Sequence, residues 1–404
     1  MATQGTLFEG VRLTYDECYQ MTIDSIRRIE GIYNTWFLMW SGGKDSTTMV
    51  TVILELIRRD QISAPKNLKV FIADTRMELI PLWQNAIQLI NQIEERGYSV
   101  EVVMPEIDNR FWVYMLGYGV PPPSNTFRWC TDKLKLAPIQ DAVKRYLAKV
   151  NGTSDESKWE KVLMMTGVRL GESAARDARI KMSCSKDGGE CGQGHYHNIS
   201  NSWNDTLAPI VHWRVCIIWD WLMLLAPGEK YGGGWATELR AEAYGDGEDI
   251  EARTGCIGCN LASKDKALLS IIKNENWTYL SPLLKLRGLY ALLKKPENRL
   301  RLTGYQVRKD GKGSKNQNRL GPLTFEARKL GLDMLKAILS EVNLKAKQQN
   351  RPEVNLLNTE EEKRILWHWQ NESWPGDWDG TQQRGDLPFI QFFADGSSQP
   401  DLFH

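Results

Sequence analysis

Trp36-Phe-Leu-Met-Trp-Ser41-Gly42-Gly43-Lys44-Asp45-Ser46-Thr47-Thr48 is an apolar run that stops in two glycines, after which a helical pattern begins at once. The run reads as a buried strand. Gly42 and Gly43 let the chain turn sharply and let a ligand approach the backbone. Successive amide N–H groups and the start of the next helix then face an anion. Lys44 adds a point charge, and Ser41, Ser46 and Thr47 add hydroxyls. The pattern is a phosphate cradle. It is not a Walker A loop, because that motif puts Ser or Thr after the lysine and this chain has Asp45 there.

Outward from the loop, strand and helix patterns alternate. Residues 14–33 have helical spacing and 45–59 form the helix after the loop. Lys69-Val-Phe-Ile-Ala73 is a second strand, followed by Asp74-Thr75-Arg76 and a helical stretch over 79–96. Ser99–Met104 is a third strand, 133–149 a helix, and Val162–Thr166 a fourth strand that ends at Gly167-Val168-Arg169. Such alternation predicts parallel βαβ units, with ligands at the carboxyl ends of the strands. Residues 183–208 lack periodicity and read as a long loop. Residues 282–295 and 325–347 read as helices, and 371–404 as irregular surface structure. The expected segments are a helical stretch over 1–34, a nucleotide-binding domain over 35–227, a cysteine-containing and basic helical region over 228–350, and a helix with an irregular tail over 351–404.

The net charge of +1 in 404 residues names no partner, so any nucleic-acid site must be a local patch. No apolar run is long enough to span a bilayer and the N-terminus lacks a signal pattern. A cytoplasmic protein without a membrane partner is expected. Seven cysteines are too sparse for a disulfide scaffold.

Several clusters carry chemistry. Gly167-Val-Arg169-Leu-Gly-Glu172-Ser173-Ala-Ala-Arg176 follows a strand. Arg169 there is placed to neutralise departing phosphate, and Glu172 and Arg176 stand four apart, as on one helix face. Pro121-Pro-Pro-Ser-Asn-Thr-Phe-Arg128-Trp129-Cys130-Thr131 puts a thiol beside an arginine and before a helix. Both features favour a thiolate, as metal ligand or sulfur nucleophile. Cys256-Ile-Gly-Cys259 is a C-x2-C pair. With Cys184 and Cys191 it makes four thiolates, a set that suits a 4Fe-4S cluster, with zinc the runner-up because His195 and His197 follow Cys191. Cys18 and Cys216 sit in apolar patterns and are expected in the core. Residues 285–319 carry eleven Lys and Arg against Glu297 and Asp310, with Tyr290 and Tyr305 interleaved. This composition suits a nucleic-acid backbone or a solvated basic face.

The Ser41–Ser46 loop resembles the PP-loop of the ATP pyrophosphatase superfamily. Together with Asp74-Thr75, Arg128-x-Cys130 with Lys135 and Pro138, and Gly167-x-Arg169-x-x-Glu172-Ser173, it is similar to the phosphoadenylyl-sulfate (PAPS) reductase family. More narrowly, Asn125–Lys135, Gly255-Cys-x-x-Cys-x4-Lys264-Asp265-Lys266 and Gly321–Arg328 resemble DndC and its SspD-type relatives. The resemblance implies a doubly wound, parallel α/β sheet of the adenine nucleotide alpha hydrolase type with a helical C-terminal region. It also implies ATP and Mg²⁺ at the loop and an iron–sulfur cluster. The implied activity is adenylation of a DNA backbone phosphate for sulfur insertion. The implied partners are DNA, a cysteine desulfurase and other phosphorothioation proteins. On this resemblance Ser41, Gly42, Gly43, Lys44, Asp45, Ser46, Asp74, Arg169, Glu172 and Arg176 bind nucleotide. Lys44, Asp45, Cys130 and Arg169 are catalytic, and Cys184, Cys191, Cys256 and Cys259 hold the metal. DndC proteins carry two further cysteines shortly before their C-x2-C, and residues 228–254 contain none. In a second scheme Cys130 is itself a ligand. A sulfonucleotide reductase and a non-catalytic nucleotide-binding subunit of a defence complex are the rival functions. The absence of any cysteine after Cys259 argues against the reductase.

Overall fold

In the computed structural model the described residues are 13–171, 195–197, 202–240, 256–261, 264–302, 319–388, 390–393, 395 and 397–400. The chain divides into two compact units. The first comprises Met1–Ala73, Ile80–Val103 and Ile139–Thr254, and the second Asp74–Leu79, Met104–Pro138 and Gly255–His404.

The first unit is built on a six-stranded sheet. Its strands are β1 (Thr35–Trp40), β2 (Asn67–Ala73), β3 (Ser99–Val103), β4 (Val162–Thr166), β5 (His195–His197) and β6 (Asn204–Ala208), in the spatial order β3-β2-β1-β4-β6-β5. All neighbours pair parallel except the antiparallel β5–β6 edge. β1 is central and five of its six residues are buried, which is why it reads as an unbroken apolar run rather than an alternating one. The chain runs outward through β2 and β3 and then returns to the other side of β1 as β4. This reversal opens a crevice beyond the carboxyl ends of β1 and β4, where the Ser41 loop and the Gly167–Arg169 segment both emerge.

Helix α1 (Tyr15–Arg27) starts at a capping box in which Thr14 accepts from the Glu17 amide and Glu17 accepts from the Thr14 amide. It buries Cys18, Ile23 and Ile26. Helix α2 (Lys44–Arg58) follows the loop directly and is buried along nearly its whole length. Trp40 Nε1 donates to Thr47 Oγ1 at 2.9 Å, tying the last residue of β1 to the first turn of α2. Helix α3 (Ile80–Glu95) completes the β2–β3 crossover with buried Leu82, Ala86, Leu89 and Ile93.

Two expectations change here. Residues 183–208 contain strands β5 and β6 where the composition reads as loop. Asp205 disfavours a strand, but Tyr33 Oη donates to its carboxylate at 2.6 Å and Lys161 Nζ at 2.9 Å, so the buried charge is satisfied in place. Cys216 is exposed, not core: in the helix Val215–Asp220 it is Ile217 and Ile218 that are buried.

The second unit is mainly helical, with helices Lys285–Lys294, Phe325–Gln348 and Thr359–Gln370. A small antiparallel sheet joins β7 (Arg299–Arg301) to β8 (Leu320–Leu323) and to β9 (Gln383–Arg384). Arg328 is fully buried on the long helix. Its Nη1 donates to the carbonyls of Gly117 at 2.9 Å and Ser373 at 3.0 Å, and its guanidinium lies over the Trp374 ring. Among the described residues no helix is long and apolar enough to cross a membrane.

Candidate nucleotide loop and thiol cluster

The loop Ser41–Ser46 is built by backbone geometry. Gly42 has φ +72°, a left-handed conformation that L side chains disfavour. Gly43 caps α2 in an extended conformation and brings no capping side chain, so the first-turn amides are left for a ligand rather than consumed internally. Ser46 Oγ accepts from the Ser41 amide at 3.2 Å and lies 2.9 Å from Ser41 Oγ, which closes the loop on itself. Lys44, Asp45, Ser46 and Arg169 are all buried. Arg169 Nε donates to Asp45 Oδ1 at 2.6 Å, and Lys44 Nζ stands 3.5 Å from the other carboxylate oxygen. Asp45 therefore sits between two cations, and their charge is held in place before any phosphate arrives.

Gly167 brings β4 to this loop. A Cβ there would lie 2.5 Å from Ser46 Cα and 2.6 Å from its nitrogen, so the glycine is required by close backbone approach. Arg240 is a contributor that sequence reading missed. It is fully buried, its Nη1 donates to the Gly42 carbonyl, and its Nε donates to Asn85 Oδ1 at 3.3 Å. It lies in a Gly-rich stretch without periodicity, and no local signal marks it. Glu172, Arg176, Cys184 and Cys191 lie outside the described residues.

The remaining site residues belong to the second unit. Asp74 Oδ1 accepts from the Arg76 amide at 2.7 Å, and burial raises its carboxyl above the ordinary range. Cys256 and Cys259 are joined by a tight turn with Cys259 N donating to Cys256 O at 3.1 Å and Gly258 at φ +65°. The turn is pinned by Ile257 N to Met77 O at 2.7 Å and by Arg287 Nη1 to Cys259 O at 2.6 Å. Cys130, Cys256 and Cys259 lie within electrostatic reach of one another. Lys135 Nζ is 3.2 Å from Glu78 Oε1. Burial pulls the pKa of Lys135 down, but the Glu78 carboxylate beside it outweighs burial and the net shift is upward.

Burial works against the thiolate that the neighbours of Cys130 in the sequence favour. Burial raises its pKa first, and the neighbouring Cys259 adds to the rise. It lies in the first turn of a helical run that begins at Trp129 and passes directly from Trp129–Thr131 into the wider-wound turn Asp132–Leu136. Arg128 is exposed and donates to Asn125 Oδ1 at 3.1 Å. Cys256 is likewise pushed up to about 12 by burial, with Glu78 adding and Lys135 opposing. Among the described residues no group of three or more His, Cys, Asp or Glu side chains is arranged to hold a metal ion. The donors present are thiols, which suit a cluster or zinc chemically, but by themselves they do not close around one.

The basic stretch over 285–319 is not one face. Lys285 pairs with Glu341, and Lys295 with Glu297 at 3.7 Å. Arg287, Arg299 and Arg301 are spent on the carbonyls of Cys259, Gly321 and Gly385. Lys294 and Arg319 remain beside a cavity. Arg308, Lys309, Lys312 and Lys315 lie outside the described residues.

A strand, a Ser-Gly-Gly-Lys-Asp-Ser turn and a helix thus stand at the reversal point of a parallel sheet, where an anion would meet the loop amides. Residues 35–226 match the family model of the phosphoadenosine phosphosulfate reductase domain. An uncharacterized protein of Methanocaldococcus jannaschii, MJ0973, is 25% identical over 185 residues, which is 46% of this chain and 35% of that protein. The chain thus spans about a third of the length of the curated relative it matches. Among solved structures, FMN adenylyltransferase of Candida glabrata with FMN and the ATP analogue AMPCPP aligns at TM-score 0.29 and 14% identity, over 54% of this chain and 62% of that one. The U34-tRNA thiolase NcsA of Methanococcus maripaludis with its [4Fe-4S] cluster aligns at TM-score 0.29 and 16% identity, over 70% of this chain and 82% of that one. Likenesses this slight bear on no residue of the site.

Proposed function

We propose that this protein is an ATP pyrophosphatase that adenylates an acceptor, a DNA backbone phosphate, for replacement of an oxygen by sulfur. The observation that carries the nucleotide part is the buried Lys44–Asp45–Arg169 arrangement on a loop whose capping position has no side chain. Two cations and a row of amides suit a triphosphate better than any neutral ligand. The DNA part rests on the resemblance of Asn125–Lys135, the C-x2-C segment and Gly321–Arg328 to DndC-type proteins.

The loop amides and Lys44 hold the β and γ phosphates. Asp45 fixes Arg169, and it is also the carboxylate suited to Mg²⁺, which would neutralise phosphate charge. An acceptor oxygen attacks the α-phosphorus. That O–P bond forms, the α–β bridging bond breaks, and pyrophosphate leaves with its charge met by Lys44 and Arg169. The terminal sulfur of a persulfide then attacks the adenylated phosphorus and AMP departs with the acceptor oxygen; a second thiolate attacks the carrier sulfur, the S–S bond breaks, and a disulfide and the phosphorothioate are left. A cysteine desulfurase, the partner that the same resemblance implies, would supply the persulfide sulfur. The Cys256–Cys259 pair, with Cys184 and Cys191, offers the ligands for a 4Fe-4S cluster, or zinc as runner-up. Such a centre would supply a soft, sulfide-binding metal.

Purified protein incubated with ATP, Mg²⁺ and DNA should release pyrophosphate, and Lys44→Ala should reduce release by roughly 10²–10³-fold. Undiminished release in that variant removes the loop from the reaction. The match of residues 35–226 to the phosphoadenosine phosphosulfate reductase domain favours a second reading, reduction of a sulfonucleotide. Offering ATP and PAPS in parallel, and measuring pyrophosphate against sulfite, separates the two.

A further inference from the structure

A cavity of about 670 Å³ lies in the second unit, and its lining includes the Ser124–Phe127 turn and, roughly 200 residues later, β8. Its volume is within the roughly 300–1,000 Å³ range of small-ligand sites.

One wall is the turn. Ser124 and Phe127 exchange both backbone hydrogen bonds at 3.1 Å, and the turn holds Phe127 out with 48% of its surface exposed. The facing wall is preformed. Arg299 donates from Nε to Gly321 O at 2.6 Å and from Nη2 to Leu320 O at 3.1 Å. Trp378 packs so closely on Gly321 that a Cβ there would stand 2.0 Å from the indole. Tyr114 contributes a third ring.

Lys294 and Arg319 also line this cavity, and neither makes an ion pair with an acid among the described residues. Lys294 is half-buried beside like charges, Arg299 and Arg287, and burial with those charges lowers its pKa. A preformed hollow with three aromatic rings and uncompensated cations has one natural complement: a planar base carrying a phosphate. A simple anion would use the cations and waste the rings; an apolar ligand would do the reverse.

We propose that the cavity bounded by Phe127, Trp378, Lys294 and Arg319 takes one unpaired nucleotide of a nucleic-acid strand, its base on the rings and its phosphate on the two cations. The inference rests on the reading of a nucleic-acid acceptor and narrows it to a place and a strandedness.

Anisotropy of a short labelled oligonucleotide tests it in three arms: single-stranded DNA, RNA of the same sequence, and duplex DNA. Single strands should bind more tightly than duplex, and whichever single strand binds better names the backbone. The Lys294→Ala/Arg319→Ala double variant should weaken binding and lower the slope of log affinity against log salt by about 1.4, two contacts at roughly 0.7 each. Phe127→Ala should weaken binding about tenfold to a hundredfold. Phe127→Leu, which keeps bulk and removes the stacking face, should do nearly the same. Binding of a fluorescent ATP analogue should stay at the wild-type level in all these variants, because none touches the loop. Unchanged affinity and salt slope in the variants, or preference for duplex, overturns the proposal. Loss of ATP turnover in the wild type would instead strike the enzymatic reading and leave the binding result standing.

Discussion

Arg169 Nε lies 2.6 Å from Asp45 Oδ1, with only 8% and 12% of the two side chains exposed. The pair joins the segment after β4 to the first turn of α2, from positions 124 residues apart. Each charge would be costly there alone, so the pair is a structural commitment as well as a chemical one.

Removing one partner should therefore destabilise more than removing both. Asp45→Ala or Arg169→Ala should each cost about 3–5 kcal/mol, and the Asp45→Ala/Arg169→Ala double variant less than either single variant. Denaturant melts of the three proteins check this. Additive losses would mean that the pair is not coupled.

The two glycines nearest the loop should separate folding from binding. At Gly167 a Cβ meets the Ser46 backbone at 2.5 Å, so Gly167→Ala should cost about 1–3 kcal/mol through overpacking. At Gly43 an added Cβ meets only Ser41 Oγ at 3.5 Å and φ is −82°, so Gly43→Ala should fold as the wild type does. It should still weaken nucleotide binding, since the methyl group occupies the phosphate approach. Thermal melts and a fluorescent ATP analogue read the two effects; tight binding by Gly43→Ala would move the phosphates elsewhere.

Acid should loosen the first unit through His212. Burial lowers its pKa against the opposing hydrogen bond from Nε2 to Cys18 O at 2.9 Å. The unfolded chain then binds the proton more readily than the folded one. Stability from this residue is full above about pH 6.5 and lost as pH falls through the unfolded value. Melting temperatures between pH 7 and 5 should decline less steeply in His212→Gln.

Cysteine labelling should rank by environment. Cys216 is exposed, whereas Cys18 is fully buried and pushed up to about 12 by burial. Alkylation with iodoacetamide at pH 8 should modify Cys216 first, and Cys18 roughly 10²-fold more slowly or only on unfolding. Peptide mapping over time would expose any reversal.

Much of the candidate nucleotide site is legible in the chain because its chemistry is local. Ser41 to Ser46 are consecutive, the strand before them is apolar on both faces, and the helix after them begins on the motif. The parallel sheet follows from the same periodicities, and so does the placing of Arg169 at a strand end. The long-range parts are not legible. Arg240 reaches the Gly42 carbonyl from a stretch with no pattern. Strand β6 stands in a polar segment because Tyr33 and Lys161 satisfy Asp205. The basic run from 285 to 301 looked uniform, yet its arginines are tied to backbone carbonyls and its lysines divide between acids and the Lys294 cavity.

By itself the sequence determined the loop, its anion-binding character and the alternating sheet, since these depend on residues adjacent in the chain and on the two backbone periods. Only the tertiary structure decided which charges meet among the described residues and which stay uncompensated, and that burial opposes the thiolate form of Cys130 and Cys256. Such outcomes depend on desolvation and on partners brought in from distant segments, and neither quantity has a signature in a run of neighbouring residues.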